Sequence, residues 1–199
     1  MSDFGTNKPT WLCSFETLVL TIGCTLKGFA MNEHAKALTS ALIRNFNNIP
    51  MNKFVRAPLY EGESARLAVG TAARNLGATI DILAPGKRSC PYHLHHAQEE
   101  MFVVLEGTGT IRVAGEVLPI AQGDVIFIPP GPEYPHQLIN TSDQSLKYLS
   151  ISTKNMPDIV EYPDSGKYLA IAGKHGEQEL DFDVLQIKSP NVEYWFGKS

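Results

Sequence analysis

From residue 54 onward the chain is built of short apolar runs punctuated by turn residues, the pattern of an all-β fold. The runs predict strands at 65–70, 76–84, 90–96, 100–105, 108–113, 116–120, 124–128, 135–140 and 145–152. Gly115, between Val113 and Glu116, predicts a tight hairpin turn, because glycine tolerates the positive φ such turns need. Gly107 and Gly109 break two further strands. Nothing between 65 and 152 reads as a helix, so the strands are expected to pair antiparallel, mostly with their sequence neighbours, and to close into a barrel or jelly roll. Ahead of them, Leu38, Leu42 and Phe46 recur at i, i+4, i+8 among good helix formers and predict a short helix over 33–46, stopped by Asn47, Asn48 and Pro50. Residues 154–199 mix turns with a last apolar run at 181–187, expected to pack on the outside of the barrel or to pair across a dimer.

Composition narrows this picture. The 199 residues, 43% apolar, suit one domain with a proper core, and no internal repeat suggests a second barrel. The expected division is an N-terminal extension over 1–50, a barrel over 51–153 and a C-terminal segment over 154–199. A net charge of −4, with Lys and Arg scattered, argues against a nucleic-acid or membrane partner. The apolar stretch headed by Leu18 is bracketed by Glu16 and Lys27, far short of the roughly 20 residues a membrane span needs. Asp3 and Glu16 argue against a secretory signal, and Met31 is a candidate native start, with 1–30 an extension. Three widely spaced cysteines (Cys13, Cys24, Cys90) make no disulfide framework, so a reducing cytoplasm is the expected setting.

Chemistry concentrates in two segments. Four of the six histidines lie between positions 93 and 136. His93 and His95 are two residues apart and point to one face of an extended strand, with Cα atoms about 6.6 Å apart. Glu100 has the wrong parity for that strand and is expected on a neighbouring one, after a reversal at 96–99; His136 must arrive from a later strand. Three imidazoles and a carboxylate form an N3O ligand set suited to a divalent first-row metal: Fe, Mn, Ni, Zn or Cu. By parity His96 and Glu99 point outward. Cys90, three residues before His93, is read as a buried small residue, while Tyr92, Tyr134 and Tyr148 are packing residues within possible reach of a pocket. His34 and His175 are isolated.

These two segments resemble the paired motifs of the cupin superfamily. Gly86, His93, His95, Glu100 and Gly107 follow the first motif, with four residues between His95 and Glu100 and six more before Gly107. Gly123, Pro129, Gly131, His136 and Asn140 follow the second. Gly86 stands one residue too far upstream, and four residues rather than the usual two separate Gly131 from His136. The stretch 162–167 and the aromatic tail 192–196 look like those of small bacterial single-cupin proteins. The resemblance implies an all-β, double-stranded β-helix (jelly-roll) barrel with a short N-terminal helical extension. It implies metal ligation by His93, His95, Glu100 and His136 with positions left for water or substrate, and a homodimer. The pocket is expected to take shape from Tyr92, Phe102, Val104, Phe127 and Asn140, with Asn140 either behind His136 or capping the strand. The function expected is that of a metal-dependent dioxygenase or isomerase acting on a small oxygen-rich molecule; the alternative is a non-catalytic, metal-centred binding or sensor module. No dedicated general base stands out.

Overall fold

The computed structural model describes residues 31–173 and 180–197. The possible N-terminal extension 1–30, with Cys13 and Cys24, and His175 lie outside the described residues. Helix α1 (Glu33–Leu42) starts at Asn32, whose side chain accepts the Ala35 N–H at 2.8 Å. It stops four residues short of the expected 46, because Ile43 is already extended. The apolar stripe does not hold it longer: Leu38 is 46% and Leu42 64% exposed. Among the described residues no helix is long and apolar enough to cross a membrane.

The strands are β1 (Asn52–Arg56), β2 (Tyr60–Arg66), β3 (Leu76–Leu83), β4 (Leu94–His95), β5 (Glu100–Glu106), β6 (Thr108–Val113), β7 (Glu116–Ala121), β8 (Val125–Ile128), β9 (His136–Ile139), β10 (Leu146–Thr153), β11 (Asp158–Tyr162), β12 (Lys167–Ala172) and β13 (Phe182–Ile187). The expected strand at 65–70 sits earlier, as β2, and the expected 90–96 shrinks to the two residues of β4. The strands form a six-stranded sheet ordered β1-β2-β3-β10-β5-β8, a four-stranded sheet β13-β12-β11-β4 and a three-stranded sheet β7-β6-β9. A bridge between His93 and His136, closed by two backbone hydrogen bonds of 3.1 and 2.7 Å, joins the segment leading into β4 to β9.

This corrects the expected meander. The hairpins β1–β2, β2–β3, β6–β7, β11–β12 and β12–β13 are local, but β3 pairs with β10, β10 with β5, β5 with β8, β6 with β9 and β4 with β11. That winding is a jelly roll. Only a short turn forces two consecutive strands to pair. The β6–β7 turn is one: Ala114 and Gly115 have φ of 50° and 87°, the paired positive values of a two-residue hairpin loop. The C-terminal segment meets the barrel edge-on, through β11 on β4.

Alternation along β5 turns Glu100, Phe102 and Val104 inward. Val104, Leu83, Ile111, Ile120, Ile128, Leu138, Leu146 and Tyr148 pack with Phe102 into one apolar cluster. Each such buried side chain contributes about 1.5–3 kcal/mol. The cluster fills part of the barrel, and the polar ends of β3, β5, β9 and β10 surround what is left.

Candidate metal centre

His93 and His95 come from the segment leading into β4 and from β4 itself, His136 from the start of β9, and Glu100 from the start of β5. The expected reversal at 96–99 is a crossing instead. β4 pairs with β11 and β5 with β8 and β10, so the chain passes from one sheet to another and Glu100 meets the imidazoles across the interior. Its Oε2 lies 2.9 Å from His136 Nε2, 3.7 Å from His93 Nε2 and 3.8 Å from His95 Nε2. Ligand atoms of His93, Glu100 and His136 all lie within 4.8 Å of one another. His136 is 1% exposed and Glu100 9%.

The hydrogen bonds behind the rings decide which nitrogen is free. His93 Nδ1 lies 3.0 Å from the Pro91 carbonyl, His136 Nδ1 3.2 Å from the Tyr134 carbonyl, and His95 Nδ1 2.6 Å from Asp158 Oδ2. Carbonyl and carboxylate oxygens only accept, so each Nδ1 carries the proton and donates. Each neutral ring is then left with an Nε2 lone pair aimed at Glu100. The buried atoms Glu100 Oε2 and His136 Nε2 have no hydrogen-bond partner. Such atoms are expensive to bury unsatisfied. A divalent cation would satisfy both, and the donor set fits one: neutral imidazoles and a carboxylate. Burial alone would raise the Glu100 carboxyl; the neighbouring imidazoles, His136 above all, hold it below its ordinary value.

Asp158 has no motif to announce it in the sequence. It is 1% exposed at the start of β11, and its second oxygen accepts the Ala97 N–H at 2.8 Å. The carboxylate thus clamps both His95 and the chain beyond it, the arrangement that fixes a ligand's tautomer and orientation.

A cavity of about 170 Å³ adjoins the cluster. His93, Glu100, His136, Phe102 and Cys90 line one part of it, and Asp81, Ser89, Leu138, Tyr148 and Ser150 the rest. Burial pushes the Cys90 thiol up to about 12, and its sulfur lies 3.6 Å from His93 Nδ1.

Of the five residues expected to shape the pocket, Phe102 does so. Four do not line it. Val104 is two residues deeper along the same face of β5 and belongs to the apolar cluster. Phe127 has the outward parity of β8 and is 66% exposed. Tyr92 is buried under the Arg112 guanidinium, 3.8 Å from its ring centre, and its hydroxyl accepts the Gly115 N–H. Asn140 organises the turn after β9: its Nδ2 donates to the Leu83 and Gln144 carbonyls, and its Oδ1 accepts from the N–H and hydroxyl of Ser142. Asn140→Ala should therefore cost about 2–4 kcal/mol, several buried partners being orphaned at once, while metal content stays at the wild-type level; denaturant titration and elemental analysis of one preparation check both. His96 and Glu99 face outward, His96 Nε2 lying 2.9 Å from Glu161 Oε1 and the Glu99 N–H donating to Thr153 Oγ1. Tyr148 lines the cavity, whereas Tyr134 is 45% exposed.

Comparison with known proteins agrees with this architecture. The Cupin domain family matches residues 79–152, which contain all four candidate ligands but not Asp158. Auxin-binding protein 1 of Arabidopsis thaliana is 30% identical over 132 residues, covering 62% of this chain and 64% of that protein. The matched stretches span 46% and 64% of the curated relatives' own lengths. A protein of Acidithiobacillus ferrooxidans, provisionally named a sugar phosphate isomerase, has a crystal structure that superposes with a TM-score of 0.58 at 30% identity, covering 70% of this chain and 92% of that one. A second structure, of a sugar phosphate isomerase from Silicibacter pomeroyi, shares the fold with a TM-score of 0.62 at 21% identity, covering 75% and 96%.

Proposed function

This chain belongs to the cupin superfamily, a scaffold whose fold alone does not name a reaction, and we propose from its site that it is a metal-dependent enzyme isomerising a small, oxygen-rich hydroxy-carbonyl compound. The ligands are His93, His95, Glu100 and His136. The observation that carries the reading is the convergence of three Nε2 atoms on a buried carboxylate oxygen, with His136 Nε2 and Glu100 Oε2 themselves lacking hydrogen-bond partners. Bound there, a divalent metal supplies Lewis acidity to a substrate oxygen.

The cavity sets the size of what is acted upon. About 170 Å³ holds on the order of five or six waters, so it admits the reacting end of a sugar-like molecule, with the remainder outside. Phe102 and Leu138 wall it with apolar surface, while Ser89, Ser150 and Tyr148 offer hydroxyls to a polyoxygenated guest. Isomerisation is favoured over oxygenation because the relative from Acidithiobacillus ferrooxidans bears an isomerase's name at 30% identity.

The decisive experiment measures metal in the purified protein and then follows aldose and ketose phosphates by NMR with Mn, Fe, Ni, Zn or Cu restored after chelation. Interconversion that disappears with the metal supports the reading. Oxygen uptake with Fe(II) on the same substrates would replace it with a dioxygenase. Saturable binding of a small arylacetic acid without turnover would favour a binding module, the role carried in the name of auxin-binding protein 1. Metal at 100 times its dissociation constant should add about 2.7 kcal/mol to stability. For a chain of this size that is a rise in Tm of roughly 5–10 °C, read by calorimetry with and without chelator. A cytoplasmic homodimer is proposed alongside, drawing on the exposed Trp195 and Phe196 of the tail; sedimentation of a W195S/F196S variant as a monomer, with wild type a dimer, tests the assembly.

A further inference from the structure

Asp81 interrupts an otherwise apolar stretch of β3, between Ile80 and Ile82. In register it stands between Ser64 on β2 and Tyr148 on β10. Thr79, two residues back on the same face, donates its hydroxyl to Asp81 Oδ2 at 2.6 Å. The side chain is partly buried and lines the cavity that also touches the metal cluster. Among the described residues no Lys, Arg or His forms an ion pair with it. A carboxyl withdrawn from water without a cation is unfavourable, and an asparagine could meet the Thr79 hydroxyl without that penalty. Burial raises the carboxyl above its ordinary value, even though the Thr79 and Ser64 hydroxyls pull it down. Asp81 thus shares one cavity with Glu100 while standing outside the His93, Glu100 and His136 group that could hold an ion.

We propose that Asp81 is the catalytic acid–base of this cavity, carrying a proton between adjacent carbons of a hydroxy-carbonyl substrate. The inference rests on the isomerase reading above. Ionised Asp81 takes the proton from the hydroxyl-bearing carbon. The C–H pair becomes a carbon–carbon double bond, and the carbonyl π pair moves onto its oxygen. The hydroxyl proton passes to that oxygen, and Asp81 returns its own proton to the former carbonyl carbon. One carbonyl is thereby exchanged for its neighbour without an external oxidant or reductant. Tyr148 and Cys90 face Asp81 from β10 and from the segment before His93. Asp81 is the carboxylate among these three side chains, and burial raises the Tyr148 hydroxyl well above its ordinary value.

The test is Asp81→Asn beside wild type, each loaded with the metal that supports activity. Metal content should be equal, since Asp81 is no ligand. Isomerisation and deuterium incorporation from solvent into the substrate carbon should both fall by roughly 10²–10⁴-fold, with Asp81→Glu recovering part of the loss. A metal-free comparison supplies a readout apart from turnover. With its folded value raised, Asp81 destabilises the protein as pH climbs through that value. Asp81→Asn should then be the more stable protein at pH 7, and its advantage should shrink toward about pH 4. Deuterium incorporation by Asp81→Asn within threefold of wild type overturns the proposal while leaving the isomerase reading intact. Wild type that binds metal yet neither exchanges nor isomerises any substrate overturns that reading, and this assignment with it. A stability difference that does not change with pH also counts against Asp81 as an uncompensated proton carrier.

Discussion

His136→Ala is expected to strip the protein of its metal while leaving the barrel folded. Its Nε2 approaches Glu100 Oε2 at 2.9 Å, and it is the most buried of the three imidazoles gathered there. Losing an outer-sphere partner of a ligand typically costs 10–100-fold in affinity, so losing the ligand itself should cost roughly 100-fold or more, upwards of about 2.7 kcal/mol of binding. Fold is a separate matter. The backbone pairing of His136 with His93 and Val113 does not need the ring. Truncation opens a void against Phe102, whose ring centre is 5.5 Å away, and a void of that kind costs about 2–5 kcal/mol. It also removes one of the two unpartnered buried atoms, which offsets part of that loss. Elemental analysis and circular dichroism on one sample check both halves, and a variant retaining a full equivalent of metal would show that His136 is not a ligand. Glu100→Gln preserves shape but removes the only anionic ligand, and should shift the preferred metal more than it lowers total occupancy.

Asp158→Ala is expected to damage stability and metal binding together. Two donors lose their acceptor, His95 Nδ1 at 2.6 Å and the Ala97 N–H at 2.8 Å. At about 1–3 kcal/mol for each donor left unsatisfied, the fold should lose roughly 2–6 kcal/mol. With His95 free to turn or to change tautomer, metal affinity should fall about 10–100-fold. Asp158→Asn separates the two effects. Its carbonyl can still accept from Ala97, so stability recovers, but its amide presents N–H groups to His95 Nδ1. The imidazole must then move its proton to Nε2 to accept from them, and the ligand atom is lost. Burial would raise the Asp158 carboxyl, but the His95 and Ala97 hydrogen bonds outweigh it and lower it. A lowered carboxylate stabilises above its unfolded value and loses that contribution as pH falls through the folded one. The gap between wild type and Asp158→Ala in the metal-free protein should therefore hold from pH 7 to 5 and close below about pH 4. A gap that widened toward acid would contradict the hydrogen-bonded carboxylate. Unchanged metal affinity in Asp158→Asn would show that the His95 tautomer is not controlled from β11.

Much of this site follows from rules of short range. The β5 alternation puts Glu100 and Phe102 on one face because side chains in a strand alternate with period two, whatever the strand pairs with. Val113 and Glu116 flank a tight turn because Gly115 accepts a φ of 87°. Asp81, a charge inside an apolar strand, was not singled out by the sequence, because its meaning depends on what faces it. The residues read differently by the structure depend on longer range. Phe127 and Val104 were placed by apolar character, which says neither which way a residue faces nor how deep along the barrel it lies. Tyr92 and Asn140 found partners in a β6–β7 turn and a Leu83 carbonyl that are distant in sequence. No local pattern marks Asp158, because its role exists only where β11 pairs with β4.

The amino-acid sequence by itself determined the strand-rich class, the inward face of β5 and the candidacy of His93, Glu100 and His136 for one shared cation. All of these are properties of neighbouring residues, set by backbone geometry and by the spacing of polar and apolar positions. The tertiary structure decided which strands are partners, that Glu100 meets the histidines across the interior, and that Asp158 and Asp81 stand behind and opposite them. Strand pairing is a contest among distant segments for the same edge hydrogen bonds, settled by burying the whole apolar set at once. No window of sequence contains that contest.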